Sequence, residues 1–321
     1  MHTGQTLFPS GLRMAITGGA VWLMLVAGVL LNSLRLSIFD LLFLFAPWVV
    51  VPLSLNLVPG QASRISLANE FVVRNLLLPG AGLATASFFL KVGLLAGGLV
   101  CLWLGVAAFL ALDGLERLIR TRLQSFVELC FAFGEGYALV GALWLMASRM
   151  GLQPVGFHEP IVLLTAVHFH YAGLMAAILT GLAASSMRNS SLLRTALLCA
   201  VVGPGLLGLA FIAGPKLKLT AVGLMVIGEC GLAVATLRVG LTEAGRFGSR
   251  LLLVGSVCVI VGMTLAGIWA VGEYPLHAFV NLEQMARYHG VLNSVGFGLC
   301  SLVGWNLLRR EQHGAGEKAC V

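Results

Sequence analysis

The chain has 321 residues, of which 59% are hydrophobic and 10% charged, with a mean hydropathy of +0.96. Soluble domains carry about 25% charged residues, so a single water-facing core is excluded and most of the apolar surface must meet lipid or other membrane helices. The net charge of +7 sits in short loops between apolar runs, where it reports orientation across a membrane, and nucleic-acid binding is not expected.

Apolar runs at roughly 14–31, 37–58, 75–90, 92–112, 126–148, 160–184, 195–213, 217–238, 250–272 and 284–308 approach the ~20 residues that cross the hydrocarbon layer as a helix. The predicted fold class is therefore all-α, a polytopic transmembrane helix bundle of about ten spans. Residues 1–310 form one membrane domain, and 311–321 form a short polar tail read as unstructured. No small-residue cleavage site follows the first run, which reads as a retained span. The second run holds Pro47 and Pro52 and predicts a kink. The third is short and contains Pro79-Gly80, and only Lys91 divides it from the fourth. Whether residues 75–112 make two full spans, or a broken or re-entrant helix, stays open at this level.

With ten spans, one set of alternate loops holds Arg35, Lys91, Arg149, Lys216, Lys218 and Arg287, leaving 14 of the 20 Lys and Arg for the other set (20 − 6 = 14). The richer side is the cytoplasmic one, which puts both termini in the cytoplasm. Two stripes of small or polar residues recur at helix spacing, Gly93, Gly97, Cys101 and Gly105 on the fourth run and His289, Asn293, Gly296, Cys300 and Gly304 on the tenth. Such stripes let membrane helices approach closely. Seven cysteines occur without a CxxC pair, so neither a disulfide framework nor a zinc knuckle is indicated.

Chemistry concentrates in 161–184, IVLLTAVHFHYAGLMAAILTGLAA, where His168, His170 and Tyr171 stand in the middle of a span without Lys, Arg, Asp or Glu. Ionisable groups at that depth are costly and usually face the protein interior or a water-filled cavity. His168 and His170 are two apart, about 200° on a helix, and so point in nearly opposite directions. His289 and Asn293 are four apart and share a face. His168 and His289 both lie about 10 Å inside the outer end of their spans at 1.5 Å per residue, a depth at which they can meet. Glu128 and Glu135 share a face of the fifth run, with Glu135 between Gly134 and Gly136, and Glu229 lies in the eighth. Each must be protonated or paired. The candidate substrate or proton site is thus Glu135, His168, His170, Tyr171, Glu229, His289 and Asn293, with Glu135 expected to join His168 and His289 in one cavity. If a metal is bound, His168 and His289 are its candidate ligands. The competing reading for each residue is a hydrogen bond that only fixes helix packing. No GxxxxGK[ST], HExxH, strand-linked GxGxxG or GxSxG motif occurs, so ATP-driven transport by this chain alone is not expected.

The stretches WLMASRMGLQPVGFHEPIVLLTAVHFHYAG (144–173), AGPKLKLTAVGL (213–224) and RYHGVLNSVGF (287–297) resemble the YndJ-like family of bacterial integral membrane proteins over most of the chain. The resemblance implies a multi-pass protein of the bacterial cytoplasmic membrane, without an established activity. A second similarity, to haem-copper oxidase-like membrane proteins, rests on H-x-H at 168–170 and H-x-x-x-N at 289–293.

The leading functional expectation is a transporter or permease-like protein in the lipid bilayer, acting on a small solute through the His/Glu/Asn site. Histidine titrates near neutral pH, which makes proton coupling chemically available. No cofactor is required by the sequence. The alternatives are a haem- or metal-binding redox or sensor protein with axial histidines, and a membrane enzyme using the same cluster for acid–base chemistry.

Overall fold

The computed structural model describes residues 11–61, 63–187, 191–272 and 281–319. Among them are ten long helices: α1 (Gly11–Leu30), α2 (Ile38–Leu55), α3 (Arg64–Ser87), α4 (Leu94–Thr121), α5 (Phe126–Met150), α6 (Ile161–Ser185), α7 (Ser191–Ala213), α8 (Pro215–Thr242), α9 (Phe247–Gly272) and α10 (282–319). No strand occurs among the described residues. All but α3 are long and apolar enough to cross a membrane.

Helix starts are marked by side chains that satisfy the first free N–H groups. Ser37 accepts from the Asp40 N–H and Asp40 bonds back to Ser37, a reciprocal capping box, and Asn281 and Gln284 repeat it at the start of α10. Ser63 and Ser125 cap α3 and α5. Gly151 ends α5 at φ 74°, in the left-handed region that glycine enters without steric cost.

Where the sequence predicts a kink, α2 carries a π-helical turn at Ala46–Val50. Pro47 has no N–H and its ring crowds the preceding turn; widening to i→i+5 bonding, with the Val51 N–H on the Ala46 carbonyl, lets the helix continue. The third run is neither short nor broken. α3 begins at Arg64, well before the apolar run, and continues past Pro79 to Ser87. Its first turns carry Arg64, Glu70 and Arg74, which kept it from reading as a span. Gly80 places this helix against Trp103 of α4, where an added Cβ would lie 3.5 Å from the Trp103 backbone. α3 and α4 run antiparallel, with the segment before α3 bonded to the far end of α4 through Gln61 Nε2 to the Asp113 carbonyl (3.2 Å) and Ser63 Oγ to Glu116 (2.5 Å).

The two small-residue stripes differ. On α10, Gly304 meets Gly248 of α9 so closely that a Cβ on either would sit 2.8 Å from the other's carbonyl oxygen. On α4, Cys101 is exposed and nothing lies near Gly93 or Gly105; its buried face is Ala96, Val100, Trp103, Ala107 and Leu110 instead. Of the stripe at 93–105, Gly97 alone packs closely, against Met150 of α5, where a Cβ would overlap the side chain; the rest of the buried face comes from the residues between. At the other end α10 is tied to α2: Asn306 Nδ2 donates to the Leu53 carbonyl (3.3 Å), and Arg309 Nη1 to the Leu57 carbonyl (2.6 Å). The expected unstructured tail is a correction, since α10 runs on through residue 319. Glu273, Tyr274, His277 and Cys320 lie outside the described residues.

Candidate functional site

A cavity of about 560 Å³ lies between α6, α7, α8, α9 and α10, with Leu42 of α2 on its wall. Its lining starts where these helices begin or end, at Phe157, Phe211, Lys218, Trp269 and Leu282, and runs inward to Glu229, Val259 and Phe297. At 1.5 Å per residue, Glu229 is about 20 Å from the start of α8. The walls are mostly aromatic, aliphatic and methionine side chains. At the mouth stands Lys218, whose Nζ lies 4.6 Å from the Phe211 ring centroid and 5.6 Å from that of Trp269.

Of the seven candidate residues, His168, Tyr171, Glu229, His289 and Asn293 line this cavity. Tyr171, His289 and Asn293 are presented from π-helical segments, Phe169–Met175 in α6 and Ala286–Gly290 and Leu292–Leu299 in α10, while Glu229 stands on regular α-helix. Such turns free backbone groups and re-aim side chains, and they cluster at functional positions. The His289 Nδ1 donates to the Gly262 carbonyl (2.8 Å), which leaves Nε2 as an acceptor for Asn293 Nδ2 (3.1 Å). Gly262 is needed here, since a Cβ would stand 2.8 Å from Asn293 Oδ1. Tyr171 gives its hydroxyl to the Leu42 carbonyl at 2.8 Å and so braces α6 against α2. Four buried polar atoms of these residues have no hydrogen-bond partner among the described residues: His168 Nε2, both carboxylate oxygens of Glu229, and Asn293 Oδ1. Buried polar atoms are ordinarily paired with protein or with ordered water, so this lining is equipped to receive polar groups from outside the chain.

His170 and Glu135 lie elsewhere. His170 is fully buried, stacked on Trp103 (centroids 5.9 Å apart) and edge-on to Phe43 (5.3 Å), with Nδ1 donating to the Ala166 carbonyl at 2.8 Å. Gly141 makes the room, as a Cβ there would lie 2.5 Å from His170 Nδ1. The expected meeting of Glu135 with the two histidines is overturned. Glu135 faces α4, where Arg117 Nε approaches it at 3.3 Å. The same guanidinium binds Glu128 (2.5 Å), Asp113 (3.7 Å) and the Pro59 carbonyl (3.1 Å). Arg117 is 1% exposed and Asp113 and Glu135 are 0%, although Asp113 and Arg117 lie beyond the apolar run at 92–112. The signal for them was their spacing: Asp113 and Arg117 form an i,i+4 pair on one face of a helix, a signal that the turn-favouring Asp113-Gly114 pair obscures. No group of three or more His, Cys, Asp or Glu among the described residues is placed to hold a metal ion.

The model of the YndJ-like protein family matches residues 41–297, a span that holds the cavity polar residues and the Arg117 cluster alike. The chain belongs to the YndJ-like family. One relative in it, from Bacillus subtilis (strain 168), is described as an uncharacterized membrane protein YndJ and is 28% identical over 229 residues. The alignment covers 69% of this chain and 41% of the relative, so the chain spans about two fifths of that protein's length. No solved structure is significantly similar. This YndJ-like chain is a multi-pass membrane protein, in keeping with its nine long apolar helices among the described residues.

Proposed function

We propose that this YndJ-like chain is a permease-like protein of the bacterial cytoplasmic membrane that binds a small amphipathic solute in the α6–α10 cavity. The observation that carries this reading is an apolar cavity whose inner wall holds unpartnered polar atoms of His168, Glu229 and Asn293. Small-molecule sites are typically apolar clefts of about 300–1,000 Å³ with a few convergent polar groups. The apolar walls suit a hydrophobic body, and the polar atoms suit one or two hydrogen-bonding groups on it. Trp144 and Trp269 line the cavity and report occupancy. In purified protein, a panel of amphipathic solutes titrated against tryptophan fluorescence yields at least one saturable binder, and Glu229→Leu weakens that binder tenfold or more. Equal binding to Glu229→Leu and to the unsubstituted chain removes the proposal.

The orientation we favour has the cavity mouth outside and both termini in the cytoplasm. Three of the arginines behind the charge bias are inside the protein: Arg117 in its ion pairs, Arg309 on Leu57, and Arg149 4.7 Å from the Phe88 ring centroid. Leaving them out changes 14 to 6 into 12 to 5 (14 − 2 and 6 − 1), so the bias persists. The antiparallel pairing of α3 with α4 supports a tenth crossing. Reporter fusions at residue 154 then read as external and those at 120 and 245 as cytoplasmic; a cytoplasmic reading at 154 reverses the orientation.

A further inference from the structure

The cluster around Arg117 is a second polar site, separate from the cavity. Gly134, next to Glu135, abuts the Leu174 carbonyl and Ile178, while Met175 and Ala176 line the cavity. Glu135 therefore stands at the depth of the cavity's inner end, one helix removed from it. Glu128, with 29% of its side chain exposed, connects the cluster to the surface at the start of α5.

Three carboxyl groups, Asp113, Glu128 and Glu135, surround one guanidinium. Glu116 adds a further negative charge near Asp113 and accepts from Ser63 Oγ. The side chains that the segment before α3 brings here, Gln61 and Ser63, are uncharged, and Gln61 Nε2 donates to the backbone carbonyl of Asp113. Under the guanidinium lies the Phe131 ring, 5.7 Å from the Arg117 Cζ to its centroid. Arg117 approaches Asp113 Oδ2 only to ion-pair distance, and neither Asp113 carboxylate oxygen nor Glu135 Oε1 has a partner at hydrogen-bond length among the described residues. The two carboxyl groups nevertheless meet at one guanidinium: Arg117 Nη2 lies 3.7 Å from Asp113 Oδ2 and Arg117 Nε 3.3 Å from Glu135 Oε2, and both side chains are fully buried. Two ionised carboxylates are acceptors only and cannot bond, whereas a protonated one donates to its neighbour. Like charges sharing a buried site cannot both stay ionised.

We propose that Asp113 and Glu135 form a buried proton-binding pair, holding one proton between them beside Arg117. One proton taken from water turns two facing carboxylates into a hydrogen-bonded acid–carboxylate pair, and its loss restores them. Arg117 keeps the ionised partner in place through its bonds to Glu135 and Glu128, and the pair titrates as a unit. The ligand is a proton, and the site stands whether or not the cavity takes a solute.

The test is infrared spectroscopy of the full chain in lipid nanodiscs at neutral pH. The expected result is a protonated-carboxyl C=O band that shifts in deuterated water and survives in Glu229→Gln, which removes the other buried carboxyl among the described residues. The same band disappears in Asp113→Asn, whose amide can donate to Glu135 and so keeps the fold, as a melting curve checks. No protonated-carboxyl band in Glu229→Gln overturns the proposal without recourse to the second variant. A band that persists unchanged in folded Asp113→Asn also overturns it.

Discussion

The two sides of α6 solve the problem of polar groups in a membrane differently. On the side of His170, every neighbour is close and the space is filled: Trp103 and Phe43 enclose the ring, Gly141 yields the room, and the Ala166 carbonyl takes the proton of Nδ1. On the side of His168, two residues away, the ring faces a cavity; Nε2 lacks a partner among the described residues in both histidines, but only that of His168 borders open space. Composition and depth are nearly the same for both histidines. What differs is the facing helix, α5 with its small residues on one side and the gap between α8, α9 and α10 on the other. A buried polar side chain is therefore structural or functional according to what is placed opposite it.

The sharpest way to break this division is at its most tightly packed point. Arg117→Ala leaves Asp113, Glu128 and Glu135 without their counter-charge, and removing one partner of a buried pair costs about 3–5 kcal/mol. Arg117→Lys restores little of it, because an ammonium cannot present the fork that reaches Glu128 and Glu135 together. Chemical denaturation of both variants in one detergent measures the difference. Next in size is Gly141→Val, which drives a branched side chain into the His170 ring. Overpacking of this kind costs about 1–3 kcal/mol, and thermal unfolding should fall accordingly with solute binding retained in the protein that remains folded.

The division is also read from the cavity side. Gly262→Ala puts a methyl group 2.8 Å from Asn293 Oδ1. Asn293 borders open space and can move, so stability should change by less than ~1 kcal/mol, the range of interhelical bonds in membranes. The displaced amide also frees His289 Nε2, and binding of a cavity solute should weaken by about tenfold, roughly 1.4 kcal/mol. Unchanged binding would place Asn293 and His289 among the packing residues.

Much of the bundle was legible because crossing a membrane demands about twenty apolar residues in a row, a requirement composition reveals directly. Depth was legible for the same reason, which is why His168 and His289 were expected at one level and do line one cavity. Rotation about each helix axis was not legible. Glu135 has the right depth, but it turns towards α4, since Gly114 there leaves space that a Cβ would fill 3.1 Å from the Glu135 Cβ. Asp113 and Arg117 were missed because hydropathy falls where α4 itself does not stop. The start of α3 was missed for the mirror reason, as Arg64 to Arg74 are helical without being apolar. The π-helical turns that present Tyr171, His289 and Asn293 have no signature in residue spacing, because they arise where neighbouring helices supply the freed backbone groups with partners.

The most direct measurement compares His168→Ala with His170→Ala in one preparation, recording melting temperature and solute affinity for each. His170→Ala empties a packed aromatic site and should cost about 2–4 kcal/mol, as large-to-small core changes do, while leaving affinity within twofold in the folded fraction. His168→Ala should leave stability within ~1 kcal/mol, because water in the cavity can replace the ring as a partner, and should reduce affinity tenfold or more. Equal loss of stability in the two variants, with affinity unchanged in both, would contradict the division between a packed and an open side of α6.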